Sequence, residues 1–357
     1  MSTAAAVLLM VAVAFYAIFG GADFGAGIWD LTAGGPERGR RPRDVIEHSI
    51  GPVWEANHVW LIFVFVVLWT CFPEAYASIM LTLFVPLTIA ALGIVLRGAS
   101  FAFRKVVATT GERRILGGAF AISSVLVPYA MGAIAGGIAS GRVPAGGQAG
   151  DPVDSWINPT SVLGGVLAVA AAAYLSAVYL IRDARHAGDA ELAGYFRRRA
   201  MAAAVTAAVI AATGVLVLRE DARYLFDGLT SRALPLVILS VVCGAGALVL
   251  LVRDAARGAR LLAVVAVASI VCAWGVAQWP YLLPESLTLS AAAAPSGTLT
   301  AVLVAVGLAA VIVLPGFALL YALDQKGLLP EEGVGDTSDR PPDRSPLDHI
   351  RRPTTDR

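Results

Sequence analysis

Apolar runs of about twenty residues, separated by short loops that carry arginine, recur along almost the whole of this chain. A helical run of that length spans a hydrocarbon core of about 30 Å, at about 1.5 Å per residue. Nine runs are legible, at 4–30, 51–72, 75–103, 114–139, 160–181, 200–218, 233–252, 261–282 and 299–323. The alternation that a closed β-barrel needs is missing, and in lipid the remaining way to pair every backbone group is the helix. Composition agrees. Of 357 residues 57% are hydrophobic and 15% charged, against about 25% charged in a soluble domain. The predicted fold is an all-α polytopic membrane protein, with 1–326 as one integral-membrane domain. Residues 327–357, rich in Pro, Asp and Arg, read as a disordered cytoplasmic tail. A cytoplasmic enzyme, a nucleic-acid binder and a disulfide-rich secreted domain are excluded.

The first run has no basic segment before it and continues into Gly20, Gly21, Asp23, Gly25 and Gly27, so it reads as a retained helix and not a cleaved signal. Orientation is set by the basic residues. The odd-numbered loops hold sixteen of them and the even-numbered loops four: Arg142, Arg219, Arg223 and Arg232. The odd loops are therefore expected in the cytoplasm, the N-terminus outside and the C-terminus inside. The outer loop at 140–159 reads as irregular. Cys71, Cys243 and Cys272 lie in apolar runs without metal spacing and read as small packing residues.

Ionisable side chains are costly in a bilayer, at about 2.5–3.5 kcal/mol each on insertion scales. Asp23, Glu55, His58 and Arg97 are the four inside the runs and away from their ends. With the orientation above, all four fall in the cytoplasmic third of three consecutive helices. Such a grouping suits a polar route opening to the cytoplasm, and each residue also has a plainer reading. Asp23 either carries protons or pairs with Arg97 to hold helices together, while Gly21 and Gly25 beside it form a small-xxx-small face for close packing. Glu55 comes after Gly51-Pro52, so its carboxylate also suits a helix N-terminus. His58 shares a helix face with Glu55 and, next to Asn57, suits a hydrogen-bonded polar group. Arg97 either snorkels or ion-pairs, and Arg104 lies seven residues on, along the same face.

Buried haems take axial His, Met, Cys or Tyr ligands. Only His58 of the four histidines lies within a run, so this chain cannot supply paired histidines for several haems. No Walker A, GxGxxG or HExxH context is present either.

Four blocks carry a resemblance: GGADFGAGIWDL at 20–31, IGPVWEANHVWLI at 50–62, FPEAYA at 72–77 and LRGASFAFR at 96–104, with a softer match in WPYLLPESLTLSAAAAPSGTL at 279–299. In order and spacing they resemble subunit II of the cytochrome bd-type quinol oxidases. The resemblance implies two four-helix bundles plus one peripheral helix, in a complex that oxidises a membrane quinol and reduces dioxygen to water. It places two b-type haems and one d-type haem in the partner, subunit I, and none in this chain. It implies that subunit II stabilises the haem subunit and helps to supply cytoplasmic protons, and that some members hold a quinone as a structural lipid. A small single-span subunit joining the pair is left open. By motif, Asp23 and Glu55 take the places of the family's two acidic residues, and Trp54, Asn57 and Trp60 fit the same pattern. The proton-pathway candidates are thus Asp23, Glu55 and His58, and the accompanying structural cluster is Trp54, Asn57, Trp60, Arg97 and Arg104. The chain departs from the family at Gly20, where a second acidic residue is common, at His58, where glutamine is usual, and at Ala102, where some members are acidic. Two other readings stay open here: a secondary transporter using the intramembrane carboxylates, and a purely structural helix bundle.

Overall fold

The computed structural model describes residues 1–35, 37–104, 110–255 and 257–325, with the side chains of 48, 50–56, 101, 104, 110–114 and part of 314–325 outside that description. The expected tail at 327–357 lies outside the described residues. Twelve helices and one hairpin run in the order α1 (Ser2–Leu31), α2 (Arg40–Cys71), α3 (Pro73–Thr82), α4 (Phe84–Arg104), α5 (Thr110–Ala139), α6 (Pro159–His186), α7 (Ala190–Asp221), α8 (Arg223–Thr230), α9 (Leu234–Val252), α10 (Ala259–Gln278), β1 (Tyr281–Leu283), β2 (Leu287–Thr288), α11 (Leu289–Ala292) and α12 (Ser296–Gln325).

Among the described residues seven helices are long and apolar enough to cross a membrane, or eight if the bent pair α3–α4 is one span. The apolar part of α2, Asn57–Cys71, is shorter. Two expected boundaries are corrected. The third run is not one straight helix: α3 and α4 meet at an angle of 83°. Pro86 explains the break, because its ring conflicts with the carbonyl four residues back, at Thr82, and it offers no N–H there. The eighth run stops at Gln278 instead of 282, since Pro280 disfavours helix in the residue before it. The chain turns there into the β1–β2 hairpin, and just beyond α11 the amide of Ala294 ties back to the Cys71 carbonyl at 2.8 Å.

The chain divides into two compact units, Met1–Leu303 and Val304 onward. In the first, α1 packs against α2, α5, α6 and α10, while α4 lies on α5 and α6 on α7. The reason is local. α1 is rich in Ala and Gly, so neighbouring backbones approach closely, as the small-xxx-small spacing predicts. A Cβ at Gly25 would overlap the Ala172 carbonyl oxygen of α6, and one at Gly21 would come within 3.0 Å of Leu175 Cδ1. Elsewhere the helices present apolar side chains outward, including Val209 and Leu216 of α7 and Val241 and Val242 of α9. In lipid that exposure costs nothing. In the second unit the described residues continue α12, where Val304, Leu308, Val311 and Ile312 are exposed in the same way.

The loop at 140–159 is irregular in backbone, as expected, but firmly anchored. The amides of Gly146, Gly147 and Gly150 donate to Glu74, Ser78 and Thr82 of α3, at 2.8, 3.0 and 2.9 Å. Arg142 pairs with Asp221 at 2.6 Å, and the same carboxylate accepts from the Thr160 hydroxyl at 2.6 Å. Asn158 then caps α6 by accepting from the Ser161 amide.

On the opposite side Asp189 caps α7, accepting from the Leu192 amide at 3.0 Å and from Arg41 at 2.7 Å. The amide and then the guanidinium hold its carboxyl below the ordinary carboxylate range. A lowered folded pKa gives stability that is complete above the unfolded value of about 3.9 and is lost as pH falls through the folded value. Wild type and Asp189→Ala should therefore differ in thermal stability at neutral pH and converge below about pH 4. A gap that persists in acid would exclude the carboxylate as its cause.

Candidate functional site

Asp23 is 1% exposed, and Asn57 and Arg97 are fully buried. α1, α2 and α4 bring these three together, and α5 adds Ser124. Arg97 Nη2 donates to Asp23 Oδ1 at 2.6 Å and to the Asp23 backbone carbonyl at 2.7 Å. Its Nη1 donates to Ser124 Oγ, whose hydroxyl in turn donates to the Phe120 carbonyl at 2.5 Å. The guanidinium carbon lies 4.2 Å from the Phe120 ring centroid and 5.0 Å from that of Phe24, so its faces are covered by aromatic rings. Asp23 Oδ2 is held more loosely, by the Asn57 amide at 3.4 Å.

Of the two readings of Arg97, the ion pair is the one found. The side chain does not snorkel: it turns inward, where a carboxylate and a hydroxyl stand ready. Glycine permits this. A Cβ at Gly27 would overlap Ser124 Oγ and lie 3.0 Å from Arg97 Nη1, and one at Gly20 would lie 2.9 Å from Asn57 Oδ1. The departure at position 20 thus leaves room for the Asn57 amide.

Trp60 stands apart from this cluster in an aromatic seam, stacked on Phe15 at 4.5 Å and edge-on to Phe63 at 6.3 Å. His58 comes directly after Asn57 on α2 and is half-buried. Trp54 and Glu55 lie on α2 and Arg104 ends α4, but their side chains lie outside the described residues. Sequence reasoning missed Ser124, Phe120, Phe24 and Tyr16. The adjacent hydroxyls of Ser123 and Ser124 in an apolar run were the available signal. The Tyr16 hydroxyl, seven residues before Asp23 on α1, is buried with no hydrogen-bond partner among the described residues. Nor do these residues group three His, Cys, Asp or Glu side chains as a metal site would. His58 is the one histidine of the sequence inside an apolar run.

Fold and site define a polytopic helical membrane protein whose interior, among the described residues, holds a buried ion pair. The family model for cytochrome bd terminal oxidase subunit II matches residues 1–323, and the chain belongs to that family. A relative from Bacillus subtilis (strain 168), cytochrome bd ubiquinol oxidase subunit 2, is 29% identical over 241 residues, covering 66% of this chain and 68% of the relative. The cytochrome bd-I ubiquinol oxidase subunit 2 of Escherichia coli (strain K12) is 25% identical over 318 residues, covering 77% and 80%. Among solved structures, bd oxidase from Geobacillus thermodenitrificans matches with a TM-score of 0.71 and 25% identity, covering 90% of this chain and 98% of that one. The chain is accordingly a multi-pass bacterial membrane protein and the second subunit of a haem-containing oxidoreductase complex, beside subunit I. The transporter reading is not favoured.

Proposed function

We propose that this chain is the haem-free half of a complex that oxidises a membrane quinol and reduces dioxygen to water, and that it steadies the haem subunit and leads cytoplasmic protons inward past Asp23. In this reading the chain has nine spans in two four-helix bundles plus the last helix, with the N-terminus outside. The packing of α6, α7, α9 and α10 against one another, and the sixteen basic residues of the odd-numbered loops, support it. Two b-type haems and one d-type haem belong to the partner, any quinone retained by this chain serves only as a structural lipid, and a small single-span subunit is compatible with the pair. The relatives' names include both ubiquinol and, for a second Bacillus subtilis protein, menaquinol oxidase, so either quinol class suits the proposal.

One observation carries the proton role: the two oxygens of the buried Asp23 carboxylate are held unequally. Among the described residues Oδ1 is committed to Arg97 at 2.6 Å, whereas Oδ2 has only the Asn57 amide at 3.4 Å. A proton can be accepted and passed on at Oδ2 while Oδ1 keeps the helices clasped. His58 and Glu55, one position after and two before Asn57 on α2, form the cytoplasmic approach in this reading.

The test is Asn57→Leu in a tagged complex extracted with mild detergent. A haem-bearing partner should co-purify at wild-type yield with an unchanged reduced-minus-oxidised spectrum. Quinol-dependent oxygen uptake should fall by about tenfold or more. Unchanged uptake at unchanged haem content would reduce the cluster to a structural clasp. A wild-type chain that purifies colourless and alone would remove the oxidase role itself.

A further inference from the structure

A half-open cavity of about 550 Å³ lies where the C-terminal end of α6, the N-terminal part of α7, the end of α9 and the start of α10 converge. Its rim is basic, formed by Arg182, Arg185, Arg197, Arg257 and Arg260. Asp254 is the one carboxylate among the lining residues, and it is already shared, accepting from Arg185 at 2.7 Å and from Arg197 at 3.2 Å. Arg182 and Arg257 have no hydrogen-bond or ion-pair partner among the described residues and are exposed. The Arg260 guanidinium carbon sits over the Tyr179 ring, 3.8 Å from its centroid. α10 adds a further positive element. Its N-cap is Gly258, no side chain caps its first turn, and Gly258, Ala259 and Leu261 line the cavity. The free amides of that turn and the helix dipole favour an anion.

The floor is different. Val178, Ile181, Leu251 and Val264 belong to membrane-crossing helices and make it apolar. A cavity with a basic rim and an apolar floor, at the end of four membrane helices, matches an amphiphile whose charged end is a phosphate.

From this we infer that the cavity binds the phosphodiester headgroup of an anionic phospholipid, with acyl chains running along the apolar floor between α6 and α10. Free phosphate would use the rim but leave the floor uncovered. An acidic peptide, such as the segment at 327–357, would likewise gain nothing from it. Arg182 and Arg257, unpartnered among the described residues, supply the charge that discriminates anionic from zwitterionic lipid. This site is separate from the Asp23 cluster, and its test does not depend on proton transfer.

The experiment is native mass spectrometry of the purified, delipidated oxidase complex titrated with cardiolipin or with phosphatidylcholine. Wild type should retain cardiolipin over phosphatidylcholine by about tenfold or more. Arg182→Gln/Arg257→Gln should lose that preference, and Arg198→Gln, an exposed arginine outside the cavity lining, should keep it. Both altered positions are exposed and, among the described residues, unpartnered, so folding is preserved, and the thermal transition of the complex verifies this. Equal retention of the two lipids, or unchanged retention in the double variant, would overturn the inference. So would displacement of bound lipid by millimolar inorganic phosphate, which would mark a small-anion site. Cardiolipin preference appearing only after removal of residues 327–357 would assign the cavity to the chain's own tail instead.

Discussion

Arg97→Met should destabilise the chain by about 3–5 kcal/mol and strip most of the assembled complex from the membrane, and Asp23→Asn should do nearly the same. Each change leaves one member of a fully buried pair without its counterpart, for both side chains are 0% exposed. The double variant Asp23→Asn/Arg97→Met should recover much of the loss. Replacing both ions removes the desolvation penalty together with the attraction, and such replacements are often close to neutral. The measurements are yield of complex in membranes and thermal unfolding after extraction. A double variant no better than the singles would show that the two residues are not coupled. The sequence alone favours a simpler expectation, that Asp23→Asn lowers turnover at constant assembly. The buried pair changes it, because neutralising Asp23 also orphans Arg97. Oxygen uptake in the double variant, at restored assembly, is therefore the cleaner readout of the proton role of Asp23. Arg97→Lys should rescue only in part, because an ammonium cannot reproduce the guanidinium's fork onto Asp23 and Ser124.

Gly25→Ala should be the most damaging single-methyl change in α1, at about 1–3 kcal/mol or more. The added carbon would overlap the Ala172 carbonyl and come within 2.7 Å of Ser176 Cβ, so two helix backbones have to part. Gly21→Ala meets the end of the Leu175 side chain at 3.0 Å and the Ala172 Cα at an ordinary 3.6 Å, and should cost less because the Leu175 side chain can turn aside. Gly118→Ala has nothing within 4 Å and should stabilise α5 by up to about 1 kcal/mol through helix propensity alone. The ranking, read as thermal transitions of the complex, isolates packing from propensity. If Gly25→Ala and Gly118→Ala behaved alike, close packing of α1 on α6 would not be what the glycine secures.

Much of the site was legible because intramembrane charge is rare and conspicuous. Asp23 and Arg97 stand out in apolar runs, and Asn57 is marked by its neighbours. What each one touches was not legible. Pairing and snorkelling of Arg97 were both compatible with its place near a helix end, and the choice depends on Ser124 and Phe120, which come from a helix later in the chain. Pro86 was present as a break signal, yet an apolar run looks the same to a hydropathy count whether or not it bends. The loop at 140–159 lacks regular structure, and only the hydroxyls and carboxylate of α3 show how its glycine amides are held. The arginine cavity was visible merely as an excess of charge in two separate loops.

The sequence by itself determined that the chain is helical, where most of its helices lie, that they belong in a membrane and in which loops its basic residues gather. Those properties depend on the solvation of short contiguous segments, so they can be read residue by residue. The tertiary structure decided that Asp23 and Arg97 form a buried pair, that α3 and α4 turn by 83°, and that the α6–α7 and α9–α10 connections close around one basic cavity. Each of these is a through-space contact between groups far apart in the chain, and hydropathy carries no information about which of several chemically equivalent partners will be near enough to bond.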